Sequence, residues 1–145
     1  MMASATPSAP AYGRSLAGLG FNLIVRDIEQ QLRFCTQVLE AEIFFRTDQF
    51  AALRLCGMGF MLHADATYRD NVLRGSLADK DARGVGVELR AYEVDPDKAE
   101  ARARDGGWTV LAGSADKPHG LRECVLMDDE GFVWVPSRRL EANRP

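Results

Sequence analysis

A chain of 145 residues, 46% hydrophobic and 27% charged, can bury a real core as one domain or as two small intertwined halves. Its net charge is −3, and its 18 Lys and Arg are interleaved with 21 acidic residues, which argues against a nucleic-acid partner. No apolar run approaches the roughly 20 residues that span a bilayer, so no membrane partner is expected and a cytoplasmic location is.

The first residues, Met1 to Arg14, are rich in Ala, Ser and Pro and lack an apolar signal-peptide region. They are expected to form a disordered tail. From Ala17 to Arg26 the run AGLGFNLIVR is apolar and partly alternating, which predicts a strand. Asp27 then caps a helix through IEQQLRFCTQVL, where Ile28, Leu32, Cys35, Val38 and Leu39 share one face. Three short strands are expected next, at 41–47, 50–56 and 59–64, with Gly57 and Gly59 supplying a turn.

A polar linker over 66–83 is expected to carry a short helix and to cover one end of a cavity. The order of elements then repeats. A strand is predicted over 84–94, and Asp95-Pro96 opens a helix that ends at Gly106-Gly107. Three strands follow at 108–113, 121–127 and 131–136, the last preceded by the turn Asp128-Asp129-Glu130-Gly131. Asp27 corresponds to Asp95, and Gly59-Phe60 to Gly131-Phe132, as a duplication would produce. The predicted fold class is α+β, with two βαβββ modules. The expected organisation is a tail over 1–15, one domain over 16–138 (module one 17–65, linker 66–83, module two 84–138) and a tail over 139–145.

Cys35, Cys56 and Cys124 lie far apart, and their odd number without C-x-x-C spacing predicts buried free thiols, not disulfides or a zinc site. No phosphate-binding glycine loop and no G-x-S-x-G elbow is present, so nucleotide hydrolysis and serine-esterase chemistry are set aside.

The stretches FNLIVRDIEQQLRFCTQVLEAEI, GVELRAYEVDPDKAEARARDGG and VLMDDEGFVWV resemble the vicinal oxygen chelate superfamily. That group includes glyoxalase I, bleomycin resistance proteins, fosfomycin resistance enzymes and extradiol dioxygenases. The resemblance implies that each βαβββ module forms a curved half-barrel. Two modules then enclose a cup-shaped site, often across a homodimer. In metal-dependent relatives up to four ligands come from the first and fourth strands of each module. Counting from the helix-opening Asp and from the turn Gly places those positions at Gly20, His63, Glu88 and Val135.

Gly20 and Val135 have no side-chain donor, so His63 and Glu88 remain as the partial metal candidates. A divalent metal would need water, Asn22 or Glu123 to complete its shell, and no cofactor is expected. The cavity is expected to be lined by His63, Glu88, Met61, Asn22, Tyr68 and Trp134. His63 would donate a hydrogen bond or act as a base, with Met61 on the same strand face. Glu88, flanked by Val87 and Leu89, would face a polar cavity. Phe44, Phe45 and Phe50 are expected to pack in the core. The resulting expectation is a metal-free small-molecule-binding protein resembling bleomycin resistance proteins, its ligand unknown. The alternative is a glyoxalase- or epimerase-like lyase or isomerase using a divalent metal or acid/base residues in the same cavity. A dimerising module without a ligand is a third class.

Overall fold

The computed structural model describes residues 7–68, 73–77 and 82–142. A helix α1 (Ala9–Ser15) precedes β1 (Asn22–Val25), α2 (Ile28–Gln37), β2 (Glu42–Arg46), β3 (Phe50–Leu55) and β4 (Met58–Ala64). A 3-10 turn (Asp65–Tyr68) and the short helix α3 (Arg74–Leu77) lead into the second module. This comprises β5 (Glu88–Ala91), α4 (Pro96–Asp105), β6 (Thr109–Asp116), β7 (Leu121–Met127) and β8 (Val133–Arg139).

The fold is α+β, with two open four-stranded mixed sheets ordered β1-β4-β3-β2 and β5-β8-β7-β6. In each sheet the first and fourth strands run parallel and the other pairs antiparallel. Parallel neighbours need a long crossover, which the helix and the following hairpin provide. No helix among the described residues is long and apolar enough to cross a membrane.

Both crossover helices start where their caps dictate. The Asp27 carboxylate accepts from the Gln30 amide at 3.1 Å, and Asp95 accepts from the amides of Asp97 and Lys98. On α2 the buried positions Ile28, Gln31, Leu32, Phe34 and Cys35 follow helical spacing. On α4 the buried positions are Pro96, Ala99 and Ala103, small side chains that let the helix lie close to β6, β7 and β8. One core joins the two modules. Phe34 of α2 stands edge-on to Trp108 at 5.5 Å and lies 6.3 Å from Trp134 of β8.

The structure differs from the sequence reading in five places. The tail expected to be disordered carries α1 from Ala9, capped by the Ser8 hydroxyl, which accepts from the Ala11 amide at 3.3 Å. The Ser and Pro that suggested disorder are here a cap and a first-turn proline. The remaining tail residues 1–6 and 143–145 lie outside the described residues. β1 begins only at Asn22, after an irregular stretch that bends at Gly18, and β5 only at Glu88, after a turn over 83–86. A Cβ at Gly84 would collide with Phe132, so this position is a close crossing rather than a strand interior. Finally, Cys56 is exposed, unlike the buried thiols Cys35 and Cys124. It forms the two-residue hairpin loop with Gly57, whereas Gly59 lies inside β4.

Candidate functional site

Strand alternation gives the first sheet two unlike faces. On β4, Phe60, Leu62 and Ala64 point into the core and are buried. Met61 and His63 point to the opposite, open face. Their register partners are Ala52 and Phe50 on β3, and Asn22 and Ile24 on β1. The outer strand β2 adds Phe44 and Phe45, next to a bulge in its pairing with β3.

The N-terminal helix lies across this open face. Tyr12 of α1 stacks on Phe44 with ring centroids 6.0 Å apart. Between helix and sheet is a cavity of about 360 Å³, walled by Tyr12, Leu16, Phe44, Phe45, Phe50 and Met61, with His63 also lining it. A wider cavity of about 740 Å³ shares Tyr12, Phe44 and Met61 and extends to Asn22, Arg54 and the β3–β4 hairpin.

His63 is the chemically distinctive group of the smaller cavity. Its Nδ1 lies 2.6 Å from Asn22 Oδ1, and its ring meets the Phe50 ring edge-on at 4.8 Å. A carbonyl oxygen can only accept, so the neutral ring carries its hydrogen on Nδ1 and its lone pair on Nε2. Burial pushes the His63 pKa below its ordinary value of 6.5, favouring that neutral form. In this tautomer Nε2 is the acceptor atom of the ring.

The second sheet carries a charged cluster. Alternate residues share a strand face, and Arg90 donates to Glu88 on the same strand at 2.8 Å. Arg90 also donates to Glu123 of β7, whose carboxylate lies 3.2 Å from His119 Nε2. Burial would raise the Glu123 pKa, but the contacts from His119 and Arg90 outweigh it and hold it below its ordinary value. Opposite Glu123 on β8 is Ser137, whose buried hydroxyl has no hydrogen-bond partner among the described residues.

Comparison with known proteins bears on the fold. No family model matches the sequence, and no curated protein matches it significantly. Solved structures do. A glyoxalase/bleomycin resistance protein/dioxygenase from Nocardioides superposes with a TM-score of 0.64 at 22% identity, covering 96% of this chain and 97% of that one. A glyoxalase/bleomycin resistance protein/dioxygenase family enzyme from Burkholderia phytofirmans PsJN gives 0.67 at 20% identity, over 83% and 97% of the two chains. TioX from Micromonospora sp. ML1 gives 0.63 at 20% identity, over 88% and 100%. The chain has the glyoxalase/bleomycin-resistance fold.

Within this fold the structure brings Asn22, Met61 and His63 together on the open face of the first sheet. Glu88 sits in the Arg90 cluster of the second sheet and lines neither cavity. Trp134, expected in the cavity, is a core residue only 1% exposed, whose Nε1 donates to Asp128 Oδ2 at 2.8 Å. Its strand neighbours Val133 and Val135 point to the opposite face, so alternation sends the indole inward. The side chain of Tyr68 lies outside the described residues. Phe44, Phe45 and Phe50, expected in the core, line the cavity instead. Tyr12 was missed because it lies in a segment that reads as a tail. Its only sequence signal is an aromatic ring after a Ser-Ala-Pro helix start.

Strand pairing also corrects one position that glyoxalase-fold metal sites would use. Asn22 pairs with Met61, and Glu88 with Val133, residues that each lie two after their turn glycine. The counterpart of Glu88 is therefore Asn22, not Gly20. Counting back from the helix cap fails because Tyr92, Glu93 and Val94 separate β5 from Asp95, whereas Arg26 alone separates β1 from Asp27. The four positions thus hold Asn22, His63, Glu88 and Val135. The Asn22 amide oxygen is engaged with His63, Glu88 is neutralised by Arg90, and Val135 offers no donor. No group of three His, Cys, Asp or Glu side chains comes together among the described residues. This donor set does not fit a divalent metal.

Proposed function

We propose that this chain is a metal-free small-molecule-binding protein, similar in its mode of action to the bleomycin resistance proteins named among its structural neighbours. The observation that carries this reading is the aromatic-walled cavity on the first sheet, with His63 set in one tautomer by Asn22. Mainly apolar pockets with a few fixed polar groups are the usual form of ligand sites. Metal-dependent glyoxalase or dioxygenase chemistry would require donors that Val135 and the Arg90-bound Glu88 do not offer.

The chain is further proposed to act as a homodimer in the cytoplasm. β2 is the edge strand of its sheet and exposes Ile43, an apolar edge that supports pairing with a second copy. The test of binding is a thermal-stability screen of small apolar and aromatic compounds, repeated with His63→Ala. Expected are compounds that stabilise the wild-type chain in proportion to concentration and stabilise the variant less. A screen in which no compound shifts the unfolding midpoint, or in which all hits act equally on the variant, refutes the reading. Light scattering over a concentration series tests the dimer.

A further inference from the structure

The α1 segment is bound to the rest of the protein in an unusual way. None of its residues is buried, and with seven residues it is far too short to be stable alone. It is placed by the stack of Tyr12 on Phe44 and by its position over the cavity. It is joined to β1 by Leu16–Phe21, in which Leu16 to Gly20 are all exposed. Gly18 has a φ of +75°, and a Cβ at Gly18 or Gly20 would meet nothing within 4 Å. Leu16 to Gly20 can therefore hinge while Phe21 stays stacked on Phe60 at 4.9 Å, the Tyr12–Phe44 stack being the contact that must break. Segments with few buried contacts open at a small fraction of the global unfolding free energy.

The cavity beneath also restricts what it can take. Among the described residues, no side chain lining the smaller cavity carries a formal charge when His63 is neutral; Arg54 sits on the Phe44 ring, 5.9 Å from its centroid, and lines only the wider cavity. The polar side chains are the Tyr12 hydroxyl and the His63 imidazole, at opposite sides of an aromatic slot. A charge gains no ion partner from these side chains, whereas a flat ring is matched on several sides.

Building on the proposed binding function, the geometry points to α1 as a hinged lid that closes over a neutral, planar aromatic ligand. Tyr12 is the latch and a direct ligand contact, Phe44, Phe45 and Phe50 form the slot, and the His63 imidazole is its polar edge. The lid swings on Leu16–Gly20, so ligand entry and release require the Tyr12–Phe44 stack to break.

N-phenyl-1-naphthylamine is a suitable probe, being neutral, aromatic and equipped with one N–H. Its fluorescence reports entry into an apolar slot, and 1-anilinonaphthalene-8-sulfonate is its charged counterpart. The full-length chain is expected to bind the neutral probe and to hold the sulfonate about tenfold more weakly or worse. Tyr12→Ala should speed probe release about tenfold, whereas Tyr12→Phe should stay near wild type. The second readout is tryptic cleavage after Arg14, which lies within α1. Saturating probe should slow that cleavage in the wild type and in Tyr12→Phe but not in Tyr12→Ala, all three sharing one urea midpoint.

Binding that leaves cleavage after Arg14 unchanged overturns the lid while leaving the cavity reading intact. Failure to bind the neutral probe, or tighter binding of the sulfonate, overturns the ligand class. Neither result is the failure of the wider screen that would refute small-molecule binding itself.

Discussion

Gln31 Nε2 donates to Asp128 Oδ2 at 2.7 Å, tying the middle of α2 in one module to the turn that precedes β8 in the other. Trp134 Nε1 donates to the same oxygen at 2.8 Å, and the amides of Glu130 and Phe132 donate to Oδ1 at 3.0 Å each. The Asp-x-Glu-Gly turn is therefore an inter-module clasp as well as a reversal of the chain. Burial of Asp128 pushes its pKa above the ordinary 3.8 despite these four donors.

Replacing Asp128 with Asn should destabilise the chain by about 1–3 kcal/mol, because the new amide nitrogen meets two donors in place of an acceptor. The cost should depend on pH. With its folded pKa raised, Asp128 contributes most below 3.8, and that contribution is lost as pH rises through the folded value. The stability gap between wild type and Asp128→Asn is expected to be widest in acid and to narrow upward. Urea titrations across that range would measure it, and a gap that grows with pH contradicts the account.

The same turn supplies Glu130, which is 3% exposed and accepts from the Arg26 amide at 2.7 Å and the Arg26 guanidinium at 2.9 Å. Arg83 Nε lies 3.6 Å away, with its side chain 2% exposed and its other nitrogens on Asp65 and the Ile24 carbonyl. Removing one member of a buried ion pair leaves the other charge uncompensated. Glu130→Ala is therefore expected to cost about 3–5 kcal/mol in chemical denaturation. Glu29→Ala, at a solvent-exposed pair with Arg46, should leave the urea midpoint almost unchanged.

His63 makes a prediction of the opposite sign to that of Asp128. Its folded pKa lies below 6.5, so the folded state resists protonation and stability from this group is lost as pH falls below that value. His63→Gln should remove that part of the pH dependence, so its stability falls less than the wild type's between neutral and mildly acid pH. Identical pH profiles for the two chains would show that His63 is not shielded from solvent.

Cys56 has a φ of +51° and Gly57 a φ of +74°, the paired positive values of a two-residue hairpin turn. Left-handed backbone strains a cysteine but suits asparagine. Cys56→Asn is expected to raise stability by about 0.5–1 kcal/mol in urea, without effect on ligand binding. A loss of stability would mean that the thiol makes a compensating contact.

Metal addition tests the donor set. Zn²⁺, Ni²⁺ or Mn²⁺ titrated into the wild-type chain should give no saturable rise in unfolding midpoint, since a tight site would stabilise by mass action. Stoichiometric stabilisation that disappears in His63→Ala would restore the metal-dependent alternative.

Much of the architecture was legible because it is locally encoded. Asp27 and Asp95 cap their helices through side-chain bonds to amides only two or three residues away. The turn at Asp128–Gly131 is likewise closed by its own carboxylate, so cap and turn chemistry marked the repeat. The site was less legible. His63 could be named by counting along the family resemblance, Met61 by alternation from it and Asn22 only as its neighbour, but the face of Trp134 could not be read, because either face of a strand in this fold can be apolar.

The sequence by itself determined the order of two βαβββ modules, through capping residues and turn glycines whose effects reach only a few positions. Tertiary structure alone decided which residues meet. Strand register made Asn22 rather than Gly20 the counterpart of Glu88, because the loops before α2 and α4 differ in length. The Arg90 side chain pairs with Glu88, a contact no local pattern announces. A segment with the composition of a tail became a helix over the cavity, since Tyr12 gains a partner only once Phe44 is fixed on the sheet. Contacts between residues far apart in sequence depend on chain closure and packing, which no local pattern specifies.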